Sequence, residues 1–126
     1  MATTNLTKDG LDNLITDNDI VIIDFWASWC GPCKMFGPVF EAASEKHEDI
    51  AFAKVNTEEE RELAGSFGVQ SIPTLAIFRD KLLIYKEPGA LPAPALEELI
   101  GKVRELDMDE VRRKVAEAEA EAEARA

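Results

Sequence analysis

The chain has 126 residues, 46% of them apolar, which suits one domain able to bury an ordinary core without disulfide staples. Its formal net charge of −11 disfavours nucleic acid and anionic membranes as partners, and its longest aliphatic run, Ile20 to Ile23, is far too short to span a bilayer. Residues 1–10 are polar, with neither a basic segment nor an apolar one, so no signal peptide is expected and the cytoplasm is the expected compartment.

Thr3 to Leu6 reads as a short strand, followed by an amphipathic helix through Leu11, Leu14 and Ile15. Ile20 to Ala27 is apolar at both alternating sets of positions, the mark of a strand covered on both faces. A helix is expected to start within Cys30-Gly31-Pro32-Cys33 and run to about His47; Pro32 suits its first turn, and Pro38 falls in its middle and should kink it. Ile50 to Asn56 reads as the next strand. Thr57-Glu58-Glu59-Glu60 then has the form of a capping box for a helix through Leu63 and Phe67. Thr74 to Phe78 and Leu82 to Tyr85 suggest a hairpin around Asp80-Lys81, and Pro94 to Leu106 a closing helix with a stripe at Leu96, Leu99, Ile100 and Val103. The order βαβαβαββα implies an α/β fold: a central mixed sheet of about five strands with helices on both faces.

The last twenty residues differ in composition. Residues 107–126 hold seven acids, four bases and an Ala-Glu alternation, with no aromatic residue. Asp107 and Glu110 look like a capping pair for a separate helix, whose apolar positions Met108, Val111 and Val115 sit about a quarter-turn off the preceding stripe. The chain is therefore divided into a domain at 1–106 and an acidic helical tail at 107–126. A helix this polar has marginal stability without a docking surface, and a solvated, frayed helix is the expectation.

Cys30 and Cys33 are the only cysteines. A bridge closing so small a loop constrains the unfolded chain little, so the pair reads as chemical. Cytosolic thiols also stay reduced unless they turn over. Cys30 falls at a strand-to-helix turn, where helix amides and the macrodipole favour a thiolate by about 0.3–1 kcal/mol, or up to about 2 when partly buried. That is roughly one pKa unit, and a hydrogen bond from the second thiol would add to it. Cys30 is thus the expected nucleophile. Cys33, one turn further on, is placed to attack the resulting mixed disulfide. Half of a zinc site is the competing reading, but zinc takes about four ligands and His47 is the only other nitrogen or sulfur candidate, so no metal is expected. His47 suits a helix C-terminus and is given no catalytic role. Asp24 is the only charge in an apolar strand, on the same face as Ile20, Ile22 and Trp26, and burial should raise its pKa.

The segment Asp24-Phe25-Trp26-Ala27-Ser28-Trp29-Cys30-Gly31-Pro32-Cys33-Lys34 resembles the active-site segment of thioredoxins. Ala53-Lys54-Val55-Asn56, Ser71-Ile72-Pro73-Thr74 and Gly89-Ala90-Leu91 follow in matching order and spacing, so the resemblance covers roughly residues 1–106. It implies a thioredoxin fold and a reductase of protein disulfides working through Cys30 and Cys33. It further implies that Asp24 takes the proton from Cys33, directly or through water, with Lys54 beside it tempering its shift. Pro73 would be a cis proline against the disulfide, exposing the backbone of Ile72 to pair with an extended client segment. Trp29, Gly31, Pro32, Ile72, Pro73, Gly89 and Ala90 would line a shallow client groove. Trp26 would support the site, whereas Phe36, Phe40, Phe52 and Phe78 read as core. The implied partners are disulfide-containing client proteins and an NADPH-dependent, flavin-containing thioredoxin reductase, acting on a monomer.

No glycine-rich nucleotide loop follows a strand, so no bound cofactor is expected. The Gly-Pro dipeptide between the cysteines resembles reducing members of the family; oxidants and isomerases more often carry a histidine there. An oxidant or isomerase, and a binding module that uses the groove or tail, are the competing functions. Two departures stand out. Asp80-Lys81 occupies a turn where the family commonly has glycine, and Leu91-Pro92-Ala93-Pro94 offers the last helix no good N-cap.

Overall fold

The computed structural model describes residues 2–126. The chain runs through β1 (Thr3–Asn5), a 3-10 turn (Lys8–Gly10), α1 (Leu11–Asp17), β2 (Ile20–Trp26), α2 (Gly31–Lys46), β3 (Ala51–Asn56), α3 (Arg61–Ser66), β4 (Thr74–Arg79), β5 (Leu82–Pro88), α4 (Ala93–Glu105) and α5 (Met108–Arg125). The sheet order is β1-β3-β2-β4-β5: β1, β3 and β2 are parallel, while β4 is antiparallel to β2 and β5 to β4. The expected mixed sheet of five strands is thus found.

Its apolar sequence puts β2 at the centre, because only a strand buried on both faces can hide that many large side chains. Ile20 and Ile22 pack with Phe36, Phe40, Phe52 and Ile100 in the layer under α2 and α4. Val21, Ile23 and Phe25 point the other way, into the layer with Leu63 and Ala64 of α3 and the half-buried Leu11 and Leu14 of α1. Phe36, Phe40 and Phe52 are core as expected, and Phe78 packs half-buried against the second layer. Helix α2 continues through the exposed Pro38, whose missing N–H leaves the carbonyl of Lys34 without its intrahelical donor.

One local expectation is corrected. Thr57 does not cap α3: its N–H and hydroxyl both donate to the carbonyl of Trp26, at 2.9 and 3.1 Å, tying the chain to the end of β2. Asn56 organises the turn instead, its Oδ1 accepting from Glu58 N at 3.0 Å and its carbonyl from Glu60 N at 2.9 Å. Helix α3 then starts at Arg61 after Glu60, which makes no side-chain cap bond. At the hairpin, Asp80 and Lys81 adopt φ of 50° and 71°, the left-handed geometry of a two-residue turn that fits twisted strands, although neither is glycine. The first helix turn after Pro92 has no side-chain cap, in keeping with the proline-rich approach.

Helix α5 begins at an N-cap made by Asp107, whose Oδ1 accepts from Asp109 N at 3.1 Å and Glu110 N at 3.2 Å. Glu110 does not complete a capping box and pairs with Lys114 at 3.2 Å. Met108 is buried and Val111 half-buried; every residue beyond Val111 is exposed. The junction between α4 and α5 is gripped by Arg79 of β4. Its Nη1 donates to the carbonyls of Val103 and Leu106, each at 2.8 Å, and to that of Arg104 at 3.3 Å. Removing these charged hydrogen bonds in Arg79→Leu is expected to cost about 1–3 kcal/mol. Exchange of backbone hydrogens should rise in residues 106–111 and stay unchanged in β2. An unaltered urea midpoint together with unaltered exchange would refute the grip. Among the described residues no helix is long and apolar enough to cross a membrane.

Candidate active site

Strand β2 ends at Trp26, and the chain turns through Ala27–Trp29 before α2 begins at Gly31, with Pro32 in its first turn. Cys30 is the N-cap. Its backbone is extended, and its sulfur accepts from Cys33 N at 3.2 Å, a donor that would serve a thiolate in the same way. Cys30 and Cys33 are joined as a disulfide with Cα atoms 5.2 Å apart. The two residues are only 4% and 5% exposed, packed with Ala27, Trp26 and Ile72, while Trp29 stands 69% exposed beside them.

A second segment closes over the sulfurs. The Ile72–Pro73 peptide is cis, Pro73 is buried, and the carbonyl oxygen of Ile72 lies 3.7 Å from Cys30 Sγ. The carbonyl of Pro73 accepts from Gly89 N at 2.8 Å, which brings the exposed Gly89 and Ala90 to the same rim. Gly89 holds φ of +117°, a conformation that L side chains rarely adopt. The structure therefore brings Ile72 against Cys30 and links Gly89 to the neighbouring Pro73, with Trp29, Gly31 and Pro32 adjoining the cysteines in sequence, so three separate stretches meet here.

Behind the pair, Asp24 is 1% exposed, and neither carboxylate oxygen has a hydrogen-bond partner among the described residues. Strand register explains its placement. Even-numbered positions of β2 face α2, so Asp24 follows Ile20 and Ile22 onto that side, paired laterally with Lys54 of β3 and Leu75 of β4. Burial pushes the Asp24 carboxyl up to about 7, and the Lys54 ammonium draws it partly back. Lys54 is half-buried with its Nζ 5.2 Å from the centre of the Trp26 ring, a cation–π arrangement that holds the ammonium near the carboxylate. Asp24, Trp26, Ala27, Cys33, Gly37 and Lys54 share the lining of one cavity of about 320 Å³. The carboxylate, the ammonium and the second cysteine thus meet in one space.

His47 lies at the other end of α2, its Nε2 2.7 Å from Glu97 and its Nδ1 3.0 Å from Arg104, well placed to close a helix and remote from the sulfurs. Among the described residues no three metal-ligating side chains cluster. Sequence reasoning missed the wall on the far side of Trp29, where Arg61, Val69 and Gln70 join Trp29 and Ile72 around a second cavity of about 330 Å³. The acidic run at Glu58-Glu59-Glu60 hid it, because charge runs ordinarily mean a solvated face.

The thioredoxin family profile matches residues 2–102. A candidate thioredoxin 2 of Streptomyces coelicolor is 55% identical over 121 residues, covering 96% of this chain and 90% of its own. The thioredoxin of Bacillus subtilis is 42% identical over 88 residues, 69% of this chain and 85% of its own. Among solved structures, a mutant thioredoxin from Halobacterium salinarum NRC-1 superposes with a TM-score of 0.77 at 38% identity, over 82% of this chain and 92% of that one. Oxidised mitochondrial thioredoxin 3 of Saccharomyces cerevisiae gives a TM-score of 0.73 at 38% identity, over 79% and 94%. The buried dithiol pair and these relatives together make the protein a dithiol–disulfide oxidoreductase that reduces protein disulfides and is served by a reductase. The chain belongs to the thioredoxin family.

Proposed function

We propose that Cys30 is the attacking thiol, Cys33 the resolving thiol and Asp24 the group that moves the proton between them. In the reduced protein the Cys30 thiolate attacks one sulfur of a client disulfide, forming a Cys30–client mixed disulfide and expelling the other client sulfur as a thiolate. Cys33 then gives up its proton to the Asp24 carboxylate, directly or through water in the shared cavity, and attacks the Cys30 sulfur. The Cys30–Cys33 disulfide forms and the second client thiolate leaves. Two electrons have passed to the client, and two thiols have become one disulfide. With Asp24 titrating at about 7, both its forms are populated near neutrality, as a group that must take and return a proton requires. Lys54 keeps that value from climbing further.

The groove supplies the client site. An extended client segment pairs with the backbone of Ile72 as an added strand, resting on Trp29, Gly31 and Pro32 on one side and on Pro73, Gly89 and Ala90 on the other. The reductase is taken to be a flavoprotein drawing on NADPH, the protein to act in the cytoplasm as a monomer without a bound cofactor, and neither nucleic acid nor a membrane to be a partner.

The observation that carries this reading is the cavity that Asp24, Lys54 and Cys33 line together. Insulin-disulfide reduction coupled to NADPH and a bacterial thioredoxin reductase tests it. NADPH oxidation proportional to added protein, with insulin turbidity following, is the expected result. No NADPH consumption, together with a Cys30→Ser variant that still performs the cellular role, would refute it and favour a binding module. A reduction potential at or above the glutaredoxin range would favour an oxidant or isomerase instead.

A further inference from the structure

The cavity on the far side of Trp29 has a polarity that its surroundings do not suggest. Its walls are Trp29, the residue before Cys30, Ile72, whose carbonyl lies 3.7 Å from Cys30 Sγ, and Ala64 and Val69, with Thr57, Arg61 and Gln70 as polar members. Arg61 sits in the first turn of α3 among four glutamates, yet each of these is engaged elsewhere. Glu58 accepts from Ser28 Oγ at 3.4 Å and Glu59 from Asn56 Nδ2 at 3.1 Å. Glu60 accepts from Lys8 N at 3.3 Å, and Glu62 pairs with Lys8 Nζ at 2.6 Å. Arg61 belongs to no ion pair among the described residues and is the only charged side chain lining the cavity.

We propose that Arg61 makes this cavity a specificity subsite for an acidic side chain close to the disulfide cysteine of the client, and this rests on the reading of Cys30 as the attacking thiol. A client strand laid along Ile72 advances about 3.3 Å per residue, with side chains alternating between faces. The second residue from the client cysteine therefore shares its face and lies about 7 Å away, and Ile72, whose carbonyl lies 3.7 Å from Cys30 Sγ, also lines the cavity. A carboxylate arriving there meets a planar donor group suited to binding it through two parallel hydrogen bonds. The net charge of −11 opposes acidic clients at long range, but screening over roughly 8 Å at physiological salt leaves the choice to charges close by, and of these only Arg61 lines the cavity itself.

The test uses reporter peptides that each carry one mixed disulfide and are identical except for Glu, Gln or Lys at the second residue on both sides of the cysteine. Pre-reduced full-length protein is mixed with each, and second-order rate constants are compared within each protein, so that any general loss of activity cancels. The parent should reduce the Glu peptide about fivefold faster than the Lys peptide, the size of an exposed ion pair gained in one and a repulsion met in the other. The ratio should fall to about one in Arg61→Gln and invert in Arg61→Glu, a change that a helix first turn accepts readily. High salt should also bring the parental ratio toward one. A Glu-to-Lys ratio that Arg61→Glu leaves unaltered overturns the proposal. Reduction of all three peptides at equal rates by the parent overturns it too, while leaving the reductase reading intact; no reduction of any peptide overturns both.

Discussion

Asp24→Ala is expected to make the oxidised protein more stable than the parent at pH 8 by about 2–4 kcal/mol, and to leave the two nearly equal at pH 4. The sign follows from proton counting. The carboxyl ionises near 3.8 in the unfolded chain and at about 7 when folded. Between those values the native state holds a proton that the unfolded state has released, so unfolding becomes easier as pH rises; above about 7 the loss is complete. A difference of about 3 units corresponds to about 4 kcal/mol, and the lower bound allows for the space that alanine leaves beneath Cys33. Urea midpoints across pH 4–9 read this directly. Equal midpoints for the two proteins at pH 7 and pH 9 would refute the burial of an uncompensated carboxylate. The same variant should resolve mixed disulfides about tenfold more slowly, less than the hundredfold typical of a lost general base because thiols also exchange protons with water. Stability and turnover therefore move in opposite directions at one side chain.

Cys33→Ser has the largest expected effect on chemistry. Its serine hydroxyl cannot form the second sulfur–sulfur bond, so attack by Cys30 should stop at the mixed disulfide. Multiple-turnover insulin reduction should fall by about a thousandfold or more, as for other variants that lose a covalent participant. Client proteins should remain attached to the variant in non-reducing gels and be released by dithiothreitol. Cys30→Ser should lose turnover and trapping together. Trapping through Cys33 in Cys30→Ser, and none in Cys33→Ser, would reverse the assignment of roles. The assignment rests on position: Cys30 caps α2 beside the exposed Trp29, and Cys33 faces inward to the Asp24 cavity.

Much of this site was legible in the sequence because its chemistry is locally encoded. A charged residue in a strand apolar on both faces can only be buried, and two cysteines across a Gly-Pro step can only share a turn. The meeting of Ile72 with Cys30, and of Gly89 with Pro73 beside it, was legible only through resemblance, since nothing in their own neighbourhoods marks them. Local turn chemistry was less legible. Thr57 fits a capping box by pattern, but the Trp26 carbonyl at the end of β2 takes both its N–H and its hydroxyl, and Asn56 turns the chain instead. At Asp80-Lys81 the strand pairing imposes a backbone geometry that the residue types alone would not have suggested. Arg61 escaped notice because a charge is read against its sequence neighbours, while what matters here is where those neighbours' side chains go.

The grip of Arg79 on the start of α5 fixes the tail at one pole of the molecule. In the ladder Arg79 stands opposite Ile20, the first residue of β2, whereas Cys30 follows the last, Trp26. About 20 Å of strand separates the two ends. Beyond Val111 every residue of α5 is exposed, on a helix that is about 27 Å long in all. A cargo, label or solid support joined at the α4–α5 junction would accordingly hold the protein by its far pole, leaving the electron-delivering face open to solution and immobilised material as active, site for site, as free protein.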